Sequence, residues 1–153
     1  MIILDASVLI AHLDTNDAHH DRADQLLAEH ALTAFGASVM TRAEVLVGPS
    51  RHGRRRAIED ALDRLEIHTY AIPDDAAGQL AELRATTRLP LPDCCVLLTA
   101  ESTGALEIAT FDQKLAKVAA GRGVTVHGTD QLSEGRPDNP GDGPSGERTR
   151  PLP

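Results

Sequence analysis

The chain has 153 residues and a net charge of −8, with 41% hydrophobic residues and only 2% aromatic ones. That length suits one domain with a sizeable core built from Ala, Leu, Val and Ile. The acidic balance argues against broad nonspecific nucleic-acid binding, and the shortage of rings against a base-stacking platform. Neither excludes an enzyme that holds acids around metal ions. The two cysteines, Cys94 and Cys95, are adjacent, so no disulfide framework exists. With no basic leader and no apolar run long enough to span a bilayer, the expected location is the cytoplasm, away from membranes.

Ile2, Ile3 and Leu4 form an unbroken apolar run, the pattern of a strand buried on both faces of a parallel sheet. Asp5 follows where that strand would end. It admits two readings: a helix cap, or a carboxylate at the edge where open α/β sheets place their ligand chemistry. Ser7 sits where an N-cap would open the helix carrying Val8, Leu9 and Ile10. A second amphipathic helix is expected from Ala18 to about Glu29, burying Ala23, Leu26 and Leu27. His19 and His20 at its start read as solvated first-turn residues, since adjacent histidines point about 100° apart on a helix and chelate poorly.

Ala31 to Phe35 is a candidate second strand ended by Gly36. Ser38 then opens a helix whose apolar run is interrupted by Glu44, either an exposed position or a charge with a partner. Gly48-Pro49-Ser50 is expected to end it. The dense basic run Arg51-His52-Gly53-Arg54-Arg55-Arg56 leads into a helix with Ile58, Leu62 and Leu65. Cations there oppose the helix dipole, so Arg54, Arg55 and Arg56 read either as phosphate contacts or as a solvated face. Glu66 to Ile72 alternates as a third strand, and Pro73-Asp74-Asp75 starts a helix to about Thr87. The next helix, expected to begin at Asp93, is nearly all apolar and therefore central, with Cys94 and Cys95 as small core residues. Leu106 to Thr110 is a fourth strand with Asp112 beyond it, Lys114 to Ala120 a helix, and Val124 to Val126 a last strand.

From Ser133 onward apolar periodicity stops. That stretch holds five of the nine prolines and four of the twelve glycines. Its four acids against three arginines give −1, which leaves −7 of the chain's −8 on the body. The expected organisation is a domain over 1–128 and a disordered tail over 129–153.

Strands alternating with helices imply a mostly parallel sheet of four to five strands with right-handed crossovers. Asp5 and Asp112 fall at strand carboxyl ends, which share one edge; Asp93 and Glu44 can join them if their helices pack over it. Two carboxylates about 4 Å apart repel by on the order of 4 kcal/mol at an effective dielectric of 20. Such a cluster persists by binding a cation or staying partly protonated, and all-oxygen ligands suit Mg²⁺ or Mn²⁺.

These motifs carry a resemblance. Ile3-Leu4-Asp5-Ala6-Ser7, Met40-Thr41-Arg42-Ala43-Glu44-Val45, Leu91-Pro92-Asp93-Cys94-Cys95 and Thr110-Phe111-Asp112 are similar, in order and spacing, to those of PIN-domain ribonucleases. The small size resembles VapC-type toxins of bacterial toxin–antitoxin pairs. The resemblance implies a PIN-like three-layer α/β/α fold and one or two Mg²⁺ or Mn²⁺ ions held by the catalytic acids Asp5, Glu44, Asp93 and Asp112. Ser7 and Thr110 would orient those carboxylates or a bound water. It further implies cleavage of single-stranded RNA, a homodimer, and inhibition by a cognate VapB-like antitoxin. The chain departs from many members in lacking a further acid after Asp112, where Gln113, Lys114 and Ala116 stand. Competing readings are a non-catalytic PIN-fold module, a housekeeping RNA-processing nuclease, and an aspartyl-phosphate phosphatase. The last would want an acid where Ser7 is.

Overall fold

In the computed structural model, which describes residues 1–129, the opening apolar run is the centre of the sheet. Strand β1 (Ile2–Leu4) pairs in parallel with β2 (Phe35–Ser38) on one side and β4 (Glu107–Ala109) on the other. Strand β3 (His68–Tyr70) adds outside β2, and β5 (Thr125–His127) outside β4. The order is β3-β2-β1-β4-β5, parallel throughout. All three residues of β1 are fully buried, each contributing about 1.5–3 kcal/mol of hydrophobic stabilisation.

The pleat sorts them. Ile2 and Leu4 face a core made with α1 (Ala6–Leu13), α2 (His20–Glu29), α3 (Val39–Arg51) and α4 (Arg55–Arg64), through residues such as Leu9, Leu26, Val45 and Leu62. Ile3 faces a second core with α5 (Ala77–Thr87), α6 (Leu91–Thr103) and α7 (Gln113–Gly121), through Leu83, Leu97 and Leu115. The result is the expected α/β/α sandwich. Helix α6 carries the buried run Cys94–Ala100, as its nearly unbroken apolar sequence requires.

Several boundaries differ from expectation, each for a local reason. Gly36 does not end β2; it lies within it. A Cβ there would come within 2.8 Å of Tyr70 Cε2 and 3.0 Å of Ile3 Cδ1, so the glycine permits close approach in mid-strand. Helix α3 runs past Gly48 and carries Pro49 inside it. Proline's missing N–H falls in the last turn, where the chain closes with bonds from His52 and Arg54 N–H to Pro49 O at 3.2 and 2.9 Å. Strand β3 is shorter than Glu66–Ile72 because Glu66 adopts a left-handed turn conformation, φ +53°. Helix α6 begins at Leu91, with Pro92 in its first turn, where a missing N–H is harmless. Of the expected tail, all but residue 129 lies outside the described residues. Among the described residues no helix is long and apolar enough to cross a membrane.

Candidate active site

Strand order reverses direction about β1 and β4, and the crevice beyond their carboxyl ends is the switch point at which parallel sheets bind ligands. Leu4 is in register with Ala109, so Asp5 and Thr110 leave the sheet side by side. The Asp5 N–H donates to Ala109 O at 2.9 Å, continuing the ladder one residue further. Asp5 is only 5% exposed. Its Oδ2 accepts from the hydroxyls of Ser7 at 2.6 Å and Thr110 at 2.8 Å, and from Ser7 N–H at 3.4 Å. Ser7 is therefore not the N-cap; Asp5 is, and Ser7 stands in the first turn of α1 supporting it.

Both hydroxyls are committed further. Ser7 Oγ accepts from Phe111 N–H and Thr110 Oγ1 from Asp112 N–H, each at 3.0 Å. With their protons directed at Asp5, the 3.4 Å approach between the two oxygens is a contact rather than a bond. The turn after β4 is thereby fastened to the turn after β1.

Asp112 caps α7: its Oδ1 accepts from Lys114 and Leu115 N–H, both at 2.8 Å. Asp93, in the first turn of α6, has its pKa pushed up to about 6 by burial, and further by the charges of Asp5, Asp112 and Glu44. Glu44, half-buried on α3, is likewise raised by burial and then by Asp5. The acids singled out in the sequence thus share one electrostatic environment. Sequence reading missed Lys114, whose charge pulls Asp93 partly back down and whose Nζ donates to Arg88 O at 2.9 Å. The available signal was a cation two residues past Asp112.

The donor set is all oxygen, which suits a hard divalent cation. Among the described residues no three His, Cys, Asp or Glu side chains close on a single point. Mg²⁺ keeps several waters and takes one or two carboxylates, so an open group of mutually repelling acids fits it better than a closed cage would.

The other expected residues lie elsewhere. Arg54, Arg55 and Arg56 are exposed at the start of α4, Arg55 within 3.7 Å of Glu59. Cys94 and Cys95 are buried, and burial raises both thiols, which keeps them protonated. His20 is not simply solvated: Nδ1 meets Ala11 O at 2.8 Å and Nε2 lies 3.6 Å from Asp24.

The family model described as the PIN domain matches residues 2–121. This chain belongs to the PIN-domain family. Solved structures agree in fold. The Mycobacterium tuberculosis toxin VapC20, described as cleaving the sarcin–ricin loop, is 18% identical, with a TM-score of 0.66 over 77% of this chain and 95% of its own. A toxin–antitoxin complex from Klebsiella pneumoniae contains a chain 27% identical, with a TM-score of 0.61 over 76% of this chain and 90% of that one. PAE2754 from Pyrobaculum aerophilum is 19% identical, with a TM-score of 0.53 over 82% and 89%. A comparison with curated protein sequences gives no significant match.

Proposed function

We propose that this PIN-domain chain is a Mg²⁺- or Mn²⁺-dependent endoribonuclease that cleaves single-stranded RNA and acts as the toxin of a toxin–antitoxin pair. The observation that carries this reading is that Asp93 is close enough to feel the charges of Asp5, Asp112 and Glu44, and Glu44 that of Asp5, beyond the carboxyl ends of β1 and β4. Those acids would hold one or two cations. The chemistry such an ion would supply is a lowered pKa for an attacking water and compensation of charge on the leaving oxygen. Ser7 and Thr110 fix the Asp5 carboxylate, so its orientation needs no rearrangement when substrate arrives. Arg54, Arg55 and Arg56 would contact RNA phosphates outside the crevice.

A toxin–antitoxin role draws support from the description of the Klebsiella neighbour. It also draws on apolar side chains on the helices that carry the acids. Ile10, Val39, Val47 and Leu91, on α1, α3 and α6, are 42–48% exposed. A VapB-like partner lying across them would bury apolar surface and cover the acids together. A homodimer is part of the same reading.

Incubation of purified chain with single-stranded RNA and Mn²⁺ tests the core claim. Cleavage is expected for the wild type and lost in Asp93→Asn; a variant that cuts as fast as wild type would remove the assignment. Calorimetric titration with Mn²⁺ separates the nuclease from an inert PIN-fold module, for which no binding is expected. Co-expression with the product of the neighbouring reading frame tests the antitoxin claim, and sedimentation the dimer.

A further inference from the structure

The few aromatic rings of this chain are unevenly placed. Phe35 is buried, Tyr70 packs partly buried against the second core, and Phe111, which stands between Thr110 and Asp112 in the chain, packs partly buried against the first. Its backbone N–H is bound to the Ser7 hydroxyl that holds Asp5, which fixes the backbone from which the ring projects, next to Asp112 in the chain. The His19 imidazole lies on the Phe111 ring, centroids 4.9 Å apart and planes 20° from parallel. The His19 side chain is still 53% exposed, so this stack ends in an open ring face.

Its position is set from behind. The His19 N–H donates to Asp17 Oδ1 at 2.8 Å, and Nδ1 lies 3.5 Å from the same oxygen. Gly128, at φ +97°, lies against the Phe111 ring; a Cβ there would stand 3.1 Å from Cε1 and 2.7 Å from Thr110 O. Arg22 brings its guanidinium carbon to 5.9 Å from the ring centroid, adding positive charge beside the stack.

Single-stranded RNA is recognised by stacking its unpaired bases on Phe and His rings and on guanidinium planes. We propose that the open face of His19, backed by Phe111, stacks one unpaired base of the RNA beside the scissile phosphate. This rests on the ribonuclease reading and adds to it the residue that selects unpaired RNA, because a base inside a duplex has no free face to offer. It also revises the expectation drawn from the 2% aromatic content: one well-placed ring extended by an imidazole suffices for a single-base platform.

The test is fluorescence anisotropy in EDTA with a labelled single-stranded RNA, intact or made abasic at one position at a time. Wild type, His19→Ala and His19→Phe are compared. His19→Ala is expected to weaken binding of intact RNA about fivefold to a hundredfold, the range covered by one base–aromatic stack. His19→Phe should restore most of it, and RNA abasic at the stacked position should bind wild type and His19→Ala equally weakly. Equal affinity of the two chains for intact RNA overturns the platform. So does a loss that is the same for intact RNA and for every abasic RNA, with or without a lower melting temperature, since His19 then only shields Phe111. A wild-type chain that binds no RNA overturns the ribonuclease reading itself.

Discussion

Thr110 donates its hydroxyl proton to Asp5 Oδ2 at 2.8 Å, joining residues 105 positions apart, and accepts the Asp112 N–H on the same oxygen. One buried hydroxyl therefore spaces two of the four acids. Thr110→Val keeps the shape and removes both bonds. Leaving polar partners unmet costs about 1–3 kcal/mol, so the melting temperature should fall. RNA cleavage should drop about 10- to 100-fold, as for other residues that orient metal-holding carboxylates. Thermal melts and cleavage rates measured on the same preparation check both parts.

Asp5 serves the fold and the site together, and two substitutions separate the roles. Asp5→Asn keeps an oxygen to accept from Ser7 and Thr110 while removing the charge. It should fold with nearly unchanged stability and fail to cleave RNA. Asp5→Ala also removes the cap of α1, which costs about 1–2 kcal/mol. Denaturant midpoints distinguish the variants; equal destabilisation by both would show that charge rather than capping holds Asp5 in place.

Asp93 gives the metal-free protein an acid-side stability gain. Its pKa is 3.8 in an ordinary setting and about 6 in the fold. The folded state thus favours the neutral acid, and the stability this gives is full below pH 3.8 and lost as pH rises through about 6. Glu44 shifts in the same direction. In EDTA, this pair should raise the melting temperature as pH falls from 7 toward 5, and Asp93→Asn should raise it at pH 7 while flattening the slope. Bound Mn²⁺ should reverse the trend, because protons compete with metal for the same carboxylates.

Reversing charge at Arg54, Arg55 and Arg56, all exposed at the start of α4, should weaken RNA binding and reduce its salt dependence. The slope of log affinity against log salt should fall by about 0.7 per lost phosphate contact. An unchanged slope assigns the run to a solvated face.

Gly36→Ala should cost about 1–3 kcal/mol through the overpacking of Tyr70 and Ile3. Gly36 is in register with Ile3, within the sheet rather than beyond the strand ends that carry the acids, so chain that remains folded should cleave at the wild-type rate.

The frame of the fold was legible because its buried strands leave strong marks: Ile2-Ile3-Leu4 has no polar alternation, and the acids Asp5 and Asp112 fall just past strand ends. What escaped depends on partners distant in sequence. Gly36 reads as a breaker until Tyr70 and Ile3 are seen on either side of it. Ser7 reads as a cap until Asp5 turns its own carboxylate onto the helix and Phe111 N–H takes the serine oxygen. His19 reads as solvated because no local spacing shows that Phe111 will lie beneath it. Glu44 and Asp93 could be singled out as misfits in apolar runs, but their common environment is visible only once α3 and α6 are packed.

The central strand is completed late. Ile2 pairs with Phe35 on one side, but its other neighbour is Glu107. Until β4 has been made, β1 has one edge bare, and Asp5 lacks both Thr110 and Asp112. A product that stops before β4 carries a bare strand edge and an incomplete acid set, with Glu44 and Asp93 but without Asp112. The full set of acids therefore comes together only after β4 and Asp112 have been made.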